Sequence, residues 1–464
     1  MHGYHPYVED AEIYVPGIKK ALHPALYPYN DSFFTSHARL TLFPNLVAGS
    51  IRVTHLPVDW ALLLWHFFSI FMLLVGCWHI GRLCFGSPRA QWGGVALVAS
   101  LLTIPVAGTA LYIMDQYLNT RSLSTPAVLF IIINGVERKF WRAGLWGIVT
   151  AGIHPLMSVF GLSYVLILLW IGKRESWPVL VNVLFLFPFG LFPPVTQAYR
   201  VAIDSHSYFF LLRWEWYEWV GIFSPMVLLW WFQRIGRKQN LRVFGLLCRA
   251  LVVFGLFYFV VGLVITIPPR LGNLAELQPM RSLHLLYVLL FVFAGGLLAE
   301  FVLRDQAWRW LLLFLPLCAG MFHVQRQLFP ATSHLEWPGS TPNNDWVRAF
   351  LWIRVHTPVD AYFALDPNHM QLPGEDQHGF RAIAERSMLA DRLKDSGAVA
   401  MFPVLAESWR QQVDAQSGWQ GFQARDFQGL KEEFGVNWVV LQRPGAADLS
   451  CPYQNSGLLV CRIN

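Results

Sequence analysis

Long apolar stretches alternate with short polar loops through the first 325 residues of the chain. A helix needs roughly 20 predominantly apolar residues to cross a bilayer. We expect three such segments in residues 126–172, the first two short, with a break at His154 because the proline after it ends or kinks a helix. Further runs of suitable length occupy residues 60–85, 91–115, 177–196, 216–234, 243–267, 283–303 and 307–323. The pattern predicts about ten spans.

The two ends of the chain have a different pattern. Residues 1–57 begin with an acidic cluster and a short amphipathic segment. The run from Leu40 to His55 is apolar with few charges, which predicts a juxtamembrane helix lying along the membrane surface. We therefore separate this polar loop from a transmembrane helical domain over residues 58–325.

Beyond an irregular, proline-containing linker at residues 326–342, helical patterns alternate with short β-branched runs. Residues 345–358 and 380–397 are predicted as helices, and residues 360–367 as a strand. Such alternation is typical of a small α/β fold. We expect residues 343–464 to form a soluble domain that recognises an acceptor or has a structural role.

Composition places the chain among membrane proteins. Hydrophobic residues make up 55% of the sequence and charged residues 14%, whereas about 25% of residues are charged in ordinary soluble domains. The 21 Trp and 35 Phe suit the aromatic belts at membrane surfaces. The predicted fold class is a polytopic α-helical membrane protein with a small C-terminal α/β soluble domain.

The net charge of +6 does not indicate a nucleic-acid partner, because the Lys and Arg residues fall in alternate short loops. That distribution is the one the positive-inside rule describes for cytoplasmic loops. We therefore predict a multi-pass protein of the cell inner (plasma) membrane. Its N-terminal loop and C-terminal domain are expected on the periplasmic or extracytoplasmic side.

No cleavable signal peptide is visible at the N-terminus, which has no basic region followed by an apolar core. An outward N-terminus then requires either tail-first insertion of the first span or another span upstream. We favour the upstream span.

The six cysteines divide by environment. Cys451 and Cys461 bracket a short segment near the C-terminus, where an oxidising face of the membrane would allow a disulfide. The other four lie in or beside apolar runs, as small packing residues do. No spacing of His or Cys indicates a metal site.

Glu9 and Asp10 are the first candidates for chemistry. Adjacent carboxylates near a membrane surface either provide a general base or hold a divalent cation. The alternative is a solvated acidic turn. The neighbouring sequence favours chemistry, because the pair precedes a short amphipathic helix, a Tyr- and Pro-rich turn and the juxtamembrane helix.

This arrangement resembles the first external loop of GT-C class membrane glycosyltransferases, which include oligosaccharyltransferases and protein O-mannosyltransferases. The resemblance implies that Asp10 deprotonates an acceptor hydroxyl, with Glu9 assisting or holding a divalent cation, the one cofactor left open. It implies a polyprenyl-phosphate-linked sugar as the donor and membrane lipids as partners. The chain departs from the class in lacking the span before the loop and a WWDYG-like acceptor motif.

Other polar residues are candidates for binding substrate. Asp115 ends a predicted span, and His154 lies between two apolar segments, where ionisable groups are costly; solvation and a bond to a free carbonyl are the alternative explanations. Arg200 and Arg281 suit a lipid phosphate, because arginine binds phosphate in a fork. An aromatic belt and a snorkelling boundary charge are the alternatives for them. The remaining candidates are Arg39, Asp204, His206 and Glu215.

The favoured function is therefore transfer of a sugar from a polyprenyl-phosphate donor to an acceptor at the outer face of the membrane. A membrane transporter or channel is the second hypothesis, for which the proline-interrupted region around His154 is the one supporting feature. A non-catalytic GT-C-like scaffold is the third, in which the soluble domain would be the working part.

Overall fold

A computed structural model describes residues 1–172, 196–267 and 274–463, and it is predominantly helical. The N-terminal region holds α1 (Ala11–Leu22), α2 (Ser32–Arg39) and α3 (Phe43–Thr54). The apolar middle of the chain holds α4 (Val58–Cys84), α5 (Pro88–Ser100), α6 (Thr120–Val136), α7 (Phe140–Ile153), α8 (Pro155–Gly172), α9 (Gln197–Asp204), α10 (Trp216–Lys238), α11 (Arg242–Thr266), α12 (Leu283–Leu297) and α13 (Ala307–Leu328).

Several of these helices identify a helical membrane protein. Within the described ranges, five helical segments are long and apolar enough to cross a membrane, namely Val58–Cys84, Pro155–Gly172, Arg242–Thr266, Leu274–Leu303 (which contains α12) and Ala307–Leu328. The prediction of about ten spans is wrong by this count. The run at 91–115 is not one helix, because α5 ends at Ser100 and turns with a short β-bridge between Pro105 and Tyr112 follow. The predicted span at 177–196 lies almost entirely outside the described residues.

Glycines allow close packing in the helical domain where α5 crosses α12. A Cβ atom added at Gly93 would lie 2.3 Å from Ala299 Cβ and 2.6 Å from the Gly295 carbonyl oxygen. One added at Gly295 would lie 2.3 Å from the Gly93 carbonyl oxygen. The two backbones therefore touch directly, as membrane helices do where both carry small residues.

The C-terminal domain is built on a five-stranded sheet in the order β2-β1-β3-β5-β4. Its strands are β1 (Tyr362–Ala364), β2 (Ser387–Met388), β3 (Trp438–Gln442), β4 (Ser450–Gln454) and β5 (Leu458–Arg462). Strand β1 pairs in parallel with β2 and β3, while β5 runs antiparallel to β3 and β4. Cys451 and Cys461 form a disulfide, which the sequence alone indicates only as a possibility.

The helices of this domain are α14 (Asp345–His356), α15 (Phe380–Ala384), α16 (Lys394–Met401), α17 (Ala406–Ala415) and α18 (Ala424–Phe434). The helix predicted for residues 380–397 is wrong, because α15, β2 and the start of α16 divide that stretch. Its first break is at Glu385, whose left-handed backbone (φ 56°) cannot continue a helix. The resulting turn leads into β2, and α16 begins only at Lys394.

The first residues of the chain join the linker and the C-terminal domain. Tyr4 forms a parallel β-bridge with Leu335, and Val8 forms an antiparallel one with His378. The Gly379 N–H donates to the Tyr7 carbonyl at 2.8 Å. We call the contacts of residues 4–19 with the linker and the C-terminal domain the α1 interface. They bring the acidic start of the chain to the surface of a domain more than 300 residues away.

Candidate functional site

Asp10 occupies the position just before α1, but its side chain does not cap that helix. An aspartate at this position usually accepts a hydrogen bond from the backbone two or three residues on. Here no such bond forms, although the backbone N–H of Asp10 donates to the Tyr117 hydroxyl at 3.3 Å. Glu9 has a left-handed backbone (φ 55°). The Asp10 carboxylate is thus free to pair with side chains outside its own helix.

Two cations hold that carboxylate. Lys394, the first residue of α16, places its Nζ 3.1 Å from Asp10 Oδ1 and also forms an ion pair with Glu9. Arg121 Nη2 lies 3.4 Å from Asp10 Oδ2 and 3.0 Å from Asp115 Oδ2. We call these five residues the Asp10 cluster. It unites the start of α1, the loop before α6, the first turn of α6 and the C-terminal domain.

Electrostatics keep the cluster charged. Burial by itself would raise the pKa of Asp10, but Lys394 and Arg121 outweigh it and hold that pKa well below its usual range. Burial likewise would lower the pKa of Lys394, but Asp10 and Glu9 hold it above its usual range. At neutral pH the cluster therefore contains an ionised carboxylate and an ionised ammonium.

Arg281 adds a third positive charge near Asp10, since its charge also contributes to the low pKa of that carboxylate. The guanidinium carbon lies 5.9 Å from the centre of the Tyr208 ring. Its Nε atom is buried and has no hydrogen-bond partner within the described part of the chain. Arg281 is therefore well placed to receive an anion.

Two histidines of the predicted site border this group. His206 stacks on Tyr208, with ring centres 5.4 Å apart, and burial lowers the pKa of His206 to about 4. His154 lies at the break between α7 and α8, where its backbone N–H donates to the Thr150 carbonyl at 2.7 Å. Burial, with Arg121 and Arg281 near by, lowers the pKa of His154 well below its usual range. Both imidazoles are neutral at pH 7.

The structure thus places six of the ten predicted site residues in one region. They are Glu9, Asp10, Asp115, His154, His206 and Arg281. Asp115 accepts hydrogen bonds from Asn119 at 2.6 Å and from Arg121. It is buried, so the solvated alternative for Asp115 is wrong.

The other four predicted residues lie elsewhere. Arg39 and Arg200 are exposed. Asp204 pairs with Arg213 at 2.8 Å on the surface. Glu215 is exposed and caps α10 together with Glu218. Among the described residues, none of the four forms a hydrogen bond or ion pair with the Asp10 cluster, so the structure does not bring them to this site.

Sequence reasoning missed Arg121 and Lys394. Arg121 had a usable signal, because it follows Asp115 by six residues in a loop predicted on the same face. Lys394 had none, because it is 384 residues from Asp10 in a stretch that was predicted to be one helix.

The described ranges contain no group of three or more His, Cys, Asp or Glu side chains arranged to hold a metal ion. What the arrangement can do chemically is hold an ionised carboxylate beside a cationic, aromatic-lined position for an anion. Comparisons with known proteins add no assignment, because no protein-family model and no curated protein matches the chain.

Proposed function

We propose that the chain is a GT-C-like glycosyltransferase that moves a sugar from a polyprenyl-phosphate donor to an acceptor at the outer face of the plasma membrane. The single observation that carries the proposal is the buried Nε of Arg281, which has no partner among the described residues, in a guanidinium that lies near enough to ionised Asp10 to lower the pKa of that carboxylate. Asp10 is a carboxylate that would take a proton, and Arg281 is a cation whose buried Nε would bind a phosphate. The reaction needs both charges in one site, because the acceptor hydroxyl must lose a proton to a base and the leaving phosphate must be stabilised by a cation.

In the proposed reaction the acceptor oxygen attacks the anomeric carbon as the bond from that carbon to the phosphate oxygen breaks. The sugar is transferred with inversion, the proton of the acceptor hydroxyl passes to Asp10, and the electron pair leaves with the lipid phosphate. Arg281 stabilises the charge that develops on that phosphate. Because the pKa of Asp10 is low, the proton moves late, once the attacking oxygen has become acidic.

The position of Arg281 supports a lipid-borne donor. It lies near the start of the apolar segment Leu274–Leu303, which is long enough to cross a membrane. A phosphate at the head of a polyprenyl chain would reach this guanidinium while the chain stays in the bilayer. Tyr208, which stacks on buried His206 and is itself only partly buried, would offer a flat face to the sugar.

Binding of a donor headgroup tests the proposal. We would measure the affinity of the full chain, in lipid nanodiscs, for a radiolabelled polyprenyl phosphate. Arg281→Met removes a charge-assisted hydrogen bond of about 1.5–3 kcal/mol, which corresponds to roughly 10- to 100-fold weaker binding. Arg200→Met is the matched control, because Arg200 was the other phosphate candidate and is exposed.

We expect the Arg200 variant to bind like the wild type, with both variants melting within a few degrees of it. Equal binding by the wild type and the Arg281 variant would contradict the proposal. That outcome would favour the scaffold or transporter hypothesis.

A further inference from the structure

Lys394 is held in place by the C-terminal domain. Its backbone N–H donates to Asp391 Oδ1 at 2.5 Å, and the N–H of Asp395 donates to the same atom at 3.2 Å. The Asp395 carboxylate in turn accepts two hydrogen bonds from Arg381, at 3.0 and 2.6 Å. These buried contacts fix the first turn of α16.

The same arginine ties that turn to α1. The Glu12 carboxylate accepts hydrogen bonds from the backbone N–H groups of Arg381 and Ala382, each at 2.9 Å. Glu12 lies two residues after Asp10 on the chain, so both partners of the Lys394 ion pair are anchored to one network. The meeting of Lys394 with Glu9 and Asp10 is therefore built into the α1 interface.

We propose that the Lys394 ammonium is the resident cation of the Glu9–Asp10 pair and takes the place of a divalent ion between the two carboxylates. The C-terminal domain then supplies a positioning residue for Asp10. The role of Lys394 in sugar transfer rests on the proposed function. Its role as the cation that replaces a divalent ion does not.

The charges of the Asp10 cluster support this inference. Three carboxylates face two cations, so the cluster has one negative charge in excess. Removal of Lys394 would leave Glu9 without an ion-pair partner among the described residues, and Asp10 with Arg121 alone. An ammonium and a hard cation need the same oxygen atoms, since Mg²⁺ and Ca²⁺ bind carboxylate oxygens at about 2.0–2.6 Å. The two cannot occupy the site together.

Binding of Mn²⁺ to the full chain in detergent tests the proposal, with free Mn²⁺ measured by electron paramagnetic resonance. We expect no Mn²⁺ binding at this site in the wild type. Lys394→Met should gain one bound Mn²⁺, and Asp10→Asn in that background should abolish the binding. Lys20→Met is the matched control, because it breaks a 2.7 Å ion pair with Asp31 in the same N-terminal region.

Wild-type binding that is lost in Asp10→Asn would overturn the proposal, as would a folded Lys394→Met variant that binds no more Mn²⁺ than the wild type. Should Lys394→Met fail to fold, Lys394→Gln tests the same gain of binding, and Lys394→Arg, which keeps the charge, should bind none. Because the readout is ion binding, absence of sugar transfer would count against the proposed function and leave this inference standing.

Discussion

The helical domain and the α1 interface are both densely packed, but they are held together in opposite ways. In the helical domain, α5 meets α12 through glycines, around a core of apolar side chains. At the α1 interface, buried Glu12, Arg381 and Lys19 make ion pairs and hydrogen bonds.

Burying charges costs free energy that pairing only partly recovers, whereas apolar packing has no such cost. The buried charges of the α1 interface therefore stabilise the fold less than apolar side chains of similar size would. These charges lead from Glu12 and Arg381 to Lys394 and Asp10, which is the candidate site. Among the described residues, the buried charges of the α1 interface thus lead to the candidate site, whereas the crossing of α5 and α12 is packed by glycines and apolar side chains.

The largest expected effect comes from removing a buried charge at the interface. Arg381→Met would leave buried Asp395 without its cation, and breaking a buried pair costs about 3–5 kcal/mol. We expect a marked loss of folded protein in detergent, measured by chemical denaturation. Arg410→Met is the control, because that arginine pairs with Asp414 on the surface and should cost at most about 1 kcal/mol. Equal losses for the two variants would remove the contrast between buried and exposed pairs.

A smaller effect is expected from overpacking the helical domain. Gly93→Val places side-chain atoms against Ala299 and the backbone of Gly295, and overpacking costs about 1–3 kcal/mol. Gly144→Val is the matched control, since a Cβ there meets nothing within 4 Å. Size-exclusion chromatography of both variants should show a lower folded fraction for Gly93→Val alone. A normal profile for it would mean that α5 and α12 do not meet as described.

The smallest effect is a pH dependence that arises from two groups at the α1 interface. Burial raises the pKa of Glu12 to about 8, and Glu336 raises that of His378 to about 9 despite burial. Both groups bind their protons more tightly in the folded state than in the unfolded state. The stability that each group contributes is complete below its pKa in the unfolded state, which is 4.5 for Glu12 and 6.5 for His378. It is lost as pH rises through the pKa in the folded state, which is about 8 for Glu12 and about 9 for His378.

We therefore expect the melting temperature to fall between pH 7 and pH 9, above the range in which buried histidines with a lowered pKa, such as His154 and His206, add stability as pH rises. Glu12→Gln should flatten the part of this decline below pH 8, and Gly144→Val should leave the profile unchanged. A wild-type melting temperature that rises across this range would contradict the assignment of these protonation states.

Hydropathy predicted the parts of the fold that the bilayer dictates. The runs at 60–85 and 243–267 correspond closely to Val58–Cys84 and Arg242–Thr266. It failed at residues 91–115, where polar Thr103 and Thr109 and the turn around Pro105 interrupt an otherwise apolar run. Average hydrophobicity does not register such a turn when the turn is itself buried.

The site was predicted only where local chemistry signalled it. Glu9 and Asp10 stood out as adjacent carboxylates, and Arg281 stood out as a charge at the head of a span. Lys394 could not be found, because its role depends on a contact between the two ends of the chain. Arg200 has the same chemistry as Arg281, and only the fold separates the exposed arginine from the one near Asp10.

Sugar transfer itself is the decisive measurement for the proposed role of Asp10. Membranes containing equal amounts of wild type, Asp10→Asn or Asp31→Asn would be incubated with radiolabelled lipid-linked sugars from crude membranes. Asp31 is a partly exposed carboxylate in the same N-terminal region. General bases contribute about 10²- to 10⁴-fold to rate, so Asp10→Asn should lose at least about 100-fold in transfer while Asp31→Asn keeps the wild-type rate. Transfer by Asp10→Asn at the wild-type rate would contradict the assignment of Asp10 as the base.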